Sequence, residues 1–172
     1  ARDTPPRFTN ATLAPQPCRV SVRGMDQQSD ALRGPNITVE ALNEISRGRF
    51  PEHVGFRVDA VVAGHVVAEI DVEPHHLAPN GYLHAGVVVT LADTACGYGV
   101  RTVLPDGAIG FTTIELKTNF LGTALKGTLS CEAHLVHGGR TTQVWDATVR
   151  QGDKTLALFR CTQLLLYENG SK

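Results

Sequence analysis

The chain lacks what several protein classes require. No run of basic residues occurs: sixteen Lys and Arg stand against seventeen Asp and Glu, for a net charge of −1. A general nucleic-acid binder draws its affinity from clustered cations, so that class is excluded. No apolar stretch reaches the roughly 20 residues of a membrane span, because Asp93 interrupts the longest one. The four cysteines, Cys18, Cys96, Cys131 and Cys161, lie far apart and form no C-x-x-C. Neither a zinc knuckle nor a disulfide framework is indicated, and reduced thiols suit a cytoplasmic protein. The N-x-[ST] matches at Asn10 and Asn36 carry little weight without a charged-then-apolar leader. Methionine is as scarce as tryptophan, with one residue of each. Met25 is the only one, and it follows a stretch holding four of the nine prolines with no periodic pattern. Translation is expected to begin there. Residues 1–37 read as an extension, poorly ordered at least to residue 24, ahead of one domain at residues 38–168.

What is present has a clear order. Thr38 precedes Val39, Leu42 and Ile45 at helical spacing, and Gly48 closes the pattern, which predicts a short helix to about Arg47. Two β-branched runs flanking Ala63-Gly64 have the composition of a hairpin. From Asn80 to Pro105 the length, and the small residues of "LADTACGYG", predict a long helix lying against a sheet. In "TTIELKTNF" the alternation places Ile114, Leu116, Thr118 and Phe120 on one face and Thr113, Glu115, Lys117 and Asn119 on the other. Three more strands are expected at 127–137, 141–151 and 154–167, with tight turns at Gly138-Gly139 and Gly152-Asp153. The fold class is α+β: one antiparallel sheet wrapped around one long apolar helix, which must be covered on most sides.

Inside that helix, Asp93 is the single charged residue between Ala85 and Gly99. A carboxylate in apolar surroundings costs several kcal/mol unless paired or hydrogen-bonded, so a function is the natural reason to keep it. The element order, with "GYLHAG" opening the helix and "LADTACG" within it, resembles the hot-dog fold acyl-CoA thioesterases. The similarity is to the phenylacetyl-CoA and 4-hydroxybenzoyl-CoA thioesterase branch, whose acid lies on the central helix. That branch reads approximately N-x-x-G-x-x-H-G-G, with Asp or Glu seven residues after the second of those last glycines. Gly81, His84, Ala85, Gly86 and Asp93 fall on this pattern, while Ala85 replaces a glycine and Ala78 stands where the family has Asn or Gln. "TTIELKTNFL" and "GGRTTQV" resemble the strands that follow, and the likeness spans about residues 51–167.

The resemblance implies hydrolysis of an acyl-CoA, with an aryl or medium-length acyl group, to free acid and coenzyme A. No cofactor is implied, coenzyme A being part of the substrate. Free N–H groups at a helix start, backed by the helix dipole, suit a thioester carbonyl, and Gly81, Ala85 and Gly86 leave backbone bare there. Asp93 would act as general base or nucleophile, kept ionised by a partner such as Thr94 or Asn80. Ala85 and Asp93 are eight positions apart, roughly 12 Å along a helix. One helix therefore cannot bring both to a single carbonyl carbon. The resemblance implies a homodimer with shared sites, commonly paired into a homotetramer, and the distance argument requires something like it.

Other residues have plainer and sharper readings. His84 is read as shaping the loop, with a catalytic role as the alternative. His75, His76 and His84 offer no i, i+4 pair, so no metal site is expected. Arg140, after two glycines, is either a surface cation or a ligand for coenzyme A phosphates. Lys117 and Asn119 are candidates for the acyl or pantetheine channel. Gly97 shares the Asp93 face of the helix and leaves room for an acyl group. Two further functions stay open at this point: a non-catalytic acyl-CoA sensor, left open by Ala78 and Ala85, and a hot-dog hydratase or dehydratase using an Asp/His pair.

Overall fold

The computed structural model describes residues 33–168. The proline-rich start and Met25 lie outside them. Two short helices, α1 (Val39–Ser46) and α2 (Phe50–His53), precede a hairpin of β1 (Arg57–Val62) and β2 (His65–Val72). The long helix α3 (Ala85–Thr102) follows, then β3 (Ala108–Phe120), β4 (Gly127–Gly138), β5 (Thr142–Gln151) and β6 (Lys154–Tyr167). The six strands form one antiparallel sheet in the order β1-β2-β4-β5-β6-β3. This is the hot-dog arrangement, with α3 as its filling. Among the described residues no helix is long and apolar enough to cross a membrane.

Local chemistry explains the elements. The Thr38 hydroxyl accepts the Ala41 N–H and caps α1, whose Leu42 is fully buried. Asn43 clamps β1 to that helix, donating to the Val58 carbonyl and accepting the Val58 N–H. Gly64 takes the left-handed conformation that the tight β1–β2 turn needs. Arg33 to Ile37, on the extension side of the expected boundary, lie against the domain. The Arg33 guanidinium donates to the carbonyls of Ala108 and Ile109, and Ile37 joins the core.

Helix α3 meets the sheet through Val88, Leu91, Ala92, Ala95, Cys96 and Val100, all buried. The small residues allow close approach. A Cβ built on Gly99 would sit 2.4 Å from a ring carbon of the fully buried Trp145 of β5. That ring has no room to move, so Gly99→Ala should cost about 1–3 kcal/mol as overpacking, read as a lower midpoint in urea unfolding. Cys96, Cys131 and Cys161 are free and buried, and burial pushes the Cys96 and Cys131 thiols up. Although far apart in sequence, Cys96 and Cys161 come into contact across the helix–sheet junction.

One expectation needs correcting. The alternation along β3 slips: Thr113 pairs with Gln163, Glu115 with Thr162 and Leu116 with Cys161, so a β-bulge falls at Ile114. Thr113 thus lies on the helix-facing side with Gln163 and Cys161, not on the outer face with Glu115, Lys117 and Asn119. An extra residue in one strand reverses the facing of everything beyond it. Ile114 itself is left 55% exposed at the sheet edge.

Candidate active site

The loop before α3 is pinned on both sides. His84 N–H donates to the His76 carbonyl, Ala78 N–H to the Tyr82 carbonyl, and Leu83 N–H to the Thr123 hydroxyl. Gly81 turns the chain at φ +83°, a conformation other residues avoid, and its N–H goes to the Ala78 carbonyl. Asn80 is exposed and spends its side-chain oxygen on the Tyr82 N–H two residues on. The Gly81 N–H and the Asn80 side-chain oxygen are therefore both engaged within the loop.

His84 is the N-cap of α3. Its Nδ1 accepts the Gly86 N–H at 2.9 Å, and its carbonyl accepts the Val87 N–H. The Gly86 amide is thereby engaged, and a Cβ there would come within 2.9 Å of the same ring nitrogen. With Nδ1 accepting, the neutral imidazole carries its proton on Nε2, a donor facing outward from an exposed side chain. The Ala85 N–H has no acceptor among the described residues. The helix start thus offers two donors, Ala85 N–H and His84 Nε2–H, at the positive end of an 18-residue helix.

Asp93 lies two turns further along the same unbroken helix. Its partner is neither Thr94 nor Asn80, which the sequence suggested, but the Thr113 hydroxyl of β3 at 3.1 Å. The reason is direction: Asp93 points sideways toward the edge strand β3, and the bulge turns Thr113 in to meet it. Burial pushes the Asp93 carboxyl above the usual carboxylate range, and the Thr113 hydrogen bond pulls it part of the way back. Thr94 is half-buried beside it. Gly97 shares this face, but a Cβ there would lie 3.3 Å from the Phe111 ring. The space expected for an acyl group is filled in part by that ring.

The remaining candidates lie elsewhere. Lys117 and Asn119 point from β3 to the outer face of the sheet, in a groove with His134, Asp146 and Arg160. Arg160 and Asp146 make a two-contact ion pair there. Arg140 is exposed at the β4–β5 turn, where its carbonyl accepts the Tyr167 hydroxyl. His76 is a buried structural residue whose Nδ1 accepts the Glu73 N–H. Among the described residues no group of three or more His, Cys, Asp or Glu could hold a metal ion. Sequence reasoning missed Thr113 and Gln163, because an uninterrupted alternation puts Thr113 outside.

A model of the thioesterase superfamily matches residues 80–158, the span from the helix start through most of the sheet. A 1,4-dihydroxy-2-naphthoyl-CoA hydrolase of Listeria monocytogenes is 32% identical over 112 residues, covering 64% of this chain and 90% of that protein. The chain belongs to the thioesterase superfamily. Its chemistry is thioester hydrolysis. A thioesterase structure from Haemophilus influenzae superposes with TM-score 0.74 over 82% of this chain and 99% of that one, at 24% identity, a likeness of fold. A hypothetical thioesterase protein from Streptococcus pneumoniae, solved with coenzyme A, superposes with TM-score 0.60 at 26% identity, over 67% of this chain and 88% of that one. The sensor and hydratase readings give way to the hydrolase.

Proposed function

We propose that this thioesterase hydrolyses an aryl or medium-chain acyl-CoA, with Asp93 as general base in a site shared by two copies of the chain. The observation that carries the reading is the placement of Asp93: half-buried, on the helix flank beside β3, a 13-residue edge strand of the sheet. A long edge strand is a template for pairing. Pairing β3 with its symmetry mate would set the two α3 helices antiparallel, with each Asp93 near the other copy's helix start. The name of the Listeria relative, which specifies an aromatic acyl-CoA, supports the substrate class, as does coenzyme A in the pneumococcal structure. A homodimer, in turn paired into a homotetramer, is the assembly this reading expects. The buried free thiols fit a cytoplasmic location.

In the mechanism, the thioester carbonyl oxygen rests on the Ala85 N–H and His84 Nε2–H of one copy. Asp93 of the other takes a proton from water as the water oxygen bonds to the carbonyl carbon. The tetrahedral intermediate expels the coenzyme A thiolate, and the proton held by Asp93 is returned to it. No cofactor is assigned, because a base and two donors suffice for addition of water to a thioester. A nucleophilic Asp93 would leave a different mark. In a single turnover in 18O-water with enzyme in excess, the general base puts the label in the acid product. An anhydride that water opens at the Asp93 carbonyl puts it in the Asp93 carboxyl group.

The shared site has a direct test. Ala85 is the first helical position, where proline is tolerated, and His84 already has the extended backbone (φ −66°, ψ 129°) that precedes proline. Ala85→Pro therefore removes the unpaired N–H while keeping the helix. Mixing inactive Asp93→Asn chains with inactive Ala85→Pro chains should restore about one quarter of wild-type turnover, since half the twofold dimers are mixed and one of their two sites is intact. If each site lay within one chain, the mixture would stay inactive.

A further inference from the structure

Behind Asp93 stands a pair of polar residues that the reaction scheme does not yet use. Gln163 of β6 is fully buried (0% exposed), an unusual place for an amide without a task. Its Oε1 lies 3.1 Å from Thr113 Oγ1, which itself lies 3.1 Å from Asp93 Oδ1. Its Nε2 faces the Cys161 sulfur at 3.3 Å. A threonine hydroxyl has one proton to give, and here it meets two oxygens. Both contacts are satisfied together in one way with the amide as placed: Asp93 is protonated and donates to Thr113, which donates to Gln163 Oε1. When Asp93 is ionised, the hydroxyl must turn and donate to the carboxylate. The Gln163 oxygen is then left facing an oxygen unless the amide turns over and presents Nε2–H to Thr113. The turned amide is the same shape, and its oxygen then meets the Cys161 thiol, which can donate.

We infer that Thr113 and Gln163 are positioning residues that supply Asp93 with a hydrogen bond in both protonation states of the catalytic cycle, by reversing the direction of the Gln163–Thr113–Asp93 chain. A general base passes through both states in every turnover, and a fixed donor or a fixed acceptor would serve only one. Burial makes the matter acute, since an unmatched buried polar group is costly. The groups facing Asp93 are Thr113 from β3, Gln163 and Cys161 behind it on β6, and Cys96 on its own helix. Among the described residues no Lys, Arg or His forms an ion pair with it. Among the described residues the threonine hydroxyl is thus its one side-chain hydrogen-bond partner.

The inference rests on the reading of Asp93 as the base, and the experiment separates the two. Acyl-CoA turnover is measured against pH for wild type, Asp93→Asn, Thr113→Val, Thr113→Ser, Gln163→Met and the Thr113→Val/Gln163→Met double variant. Valine keeps the β-branched shape of threonine and removes only the hydroxyl. Thr113→Val should lower kcat roughly tenfold, with KM within about twofold, and move the acidic limb of the kcat profile up by about one pH unit. Thr113→Ser should restore both. Gln163→Met should lower kcat a few-fold, yet add nothing once the Thr113 hydroxyl is gone, because Gln163 acts through it. A Thr113→Val profile that overlays wild type overturns the inference, as does a double variant whose losses simply multiply. Should Gln163→Met fail to fold, the valine and serine profiles decide alone. If Asp93→Asn is inactive while the Thr113 variants match wild type, the base survives and only the positioning role falls. If Asp93→Asn turns over normally, the base reading itself is lost.

Discussion

Asp93→Asn should reduce acyl-CoA turnover by about 10²- to 10⁴-fold, the span expected when a general base is removed, with substrate binding retained. Asparagine keeps the size and can still accept the Thr113 hydrogen bond, so the loss reports the missing base and not a collapsed site. The wild-type profile has a related signature. Asp93 must be ionised to accept a proton, and burial holds its carboxyl above the usual carboxylate range. Activity should therefore fall with decreasing pH along a limb that lies above the ordinary aspartate value of about 3.9. Stability should move the opposite way. A carboxyl whose folded-state pKa is raised favours folding when protonated and opposes it once ionised. Asp93→Asn should accordingly melt above wild type at neutral pH. The advantage should shrink as pH falls through the raised value and vanish below about pH 4, where the unfolded aspartate is also protonated. Calorimetry at several pH values checks the trend; a variant that melts lower than wild type at neutral pH would contradict it.

Trp145→Ala should have the largest effect on folding. The indole of β5 is fully buried, lies under Gly99 of α3, and donates its Nε1–H to Gln143 Oε1. Gln143, itself 1% exposed, passes its own N–H to the Val103 carbonyl at the end of α3. Truncation would open a cavity at the junction of helix and sheet and leave the Gln143 oxygen without its donor. Substitutions of this kind cost about 3–5 kcal/mol, a large part of the roughly 5–15 kcal/mol that holds a typical domain together. The melting temperature should fall by roughly 10 °C or more. Trp145→Phe, which fills most of the space but loses the hydrogen bond, should lie between the two. If alanine shifts the melting temperature by only a degree or two, the Gly99–Trp145 contact does not hold the helix to the sheet.

The elements of this fold were legible because each is written in local periodicity. Thr38 and Leu42 mark α1, Ala63-Gly64 marks the first hairpin, and the charge-poor run around Asp93 marks the central helix. The first two stand in the structure within a residue of where the pattern puts them, while the central helix, expected from Asn80 to Pro105, runs only from Ala85 to Thr102 because the loop before it is turned at Gly81 and capped at His84. The helix start was also legible: "GYLHAG" delivers Gly81 to a turn and His84 to the cap. What the pattern could not deliver was which amides stay free. Gly86 loses its N–H to the His84 ring and Gly81 loses its own to Ala78, both through hydrogen bonds that depend on loop geometry. Lys117 and Asn119 were placed on the polar face of their strand, and that face turns away from the helix that carries Asp93.

Sequence alone therefore determined the sheet, the central helix and the identity of the one acid buried on it, since hydrophobic spacing is a property of neighbours along the chain. Only the tertiary structure decided what that acid touches. The bulge at Ile114 shifts β3 by one residue against β6, and that single slip carries Thr113 from the outer face to the Asp93 carboxyl with Gln163 behind it. Register at the bulge, between residues 50 positions apart in the chain, is set by how the finished sheet closes over the helix, and no local pattern records it.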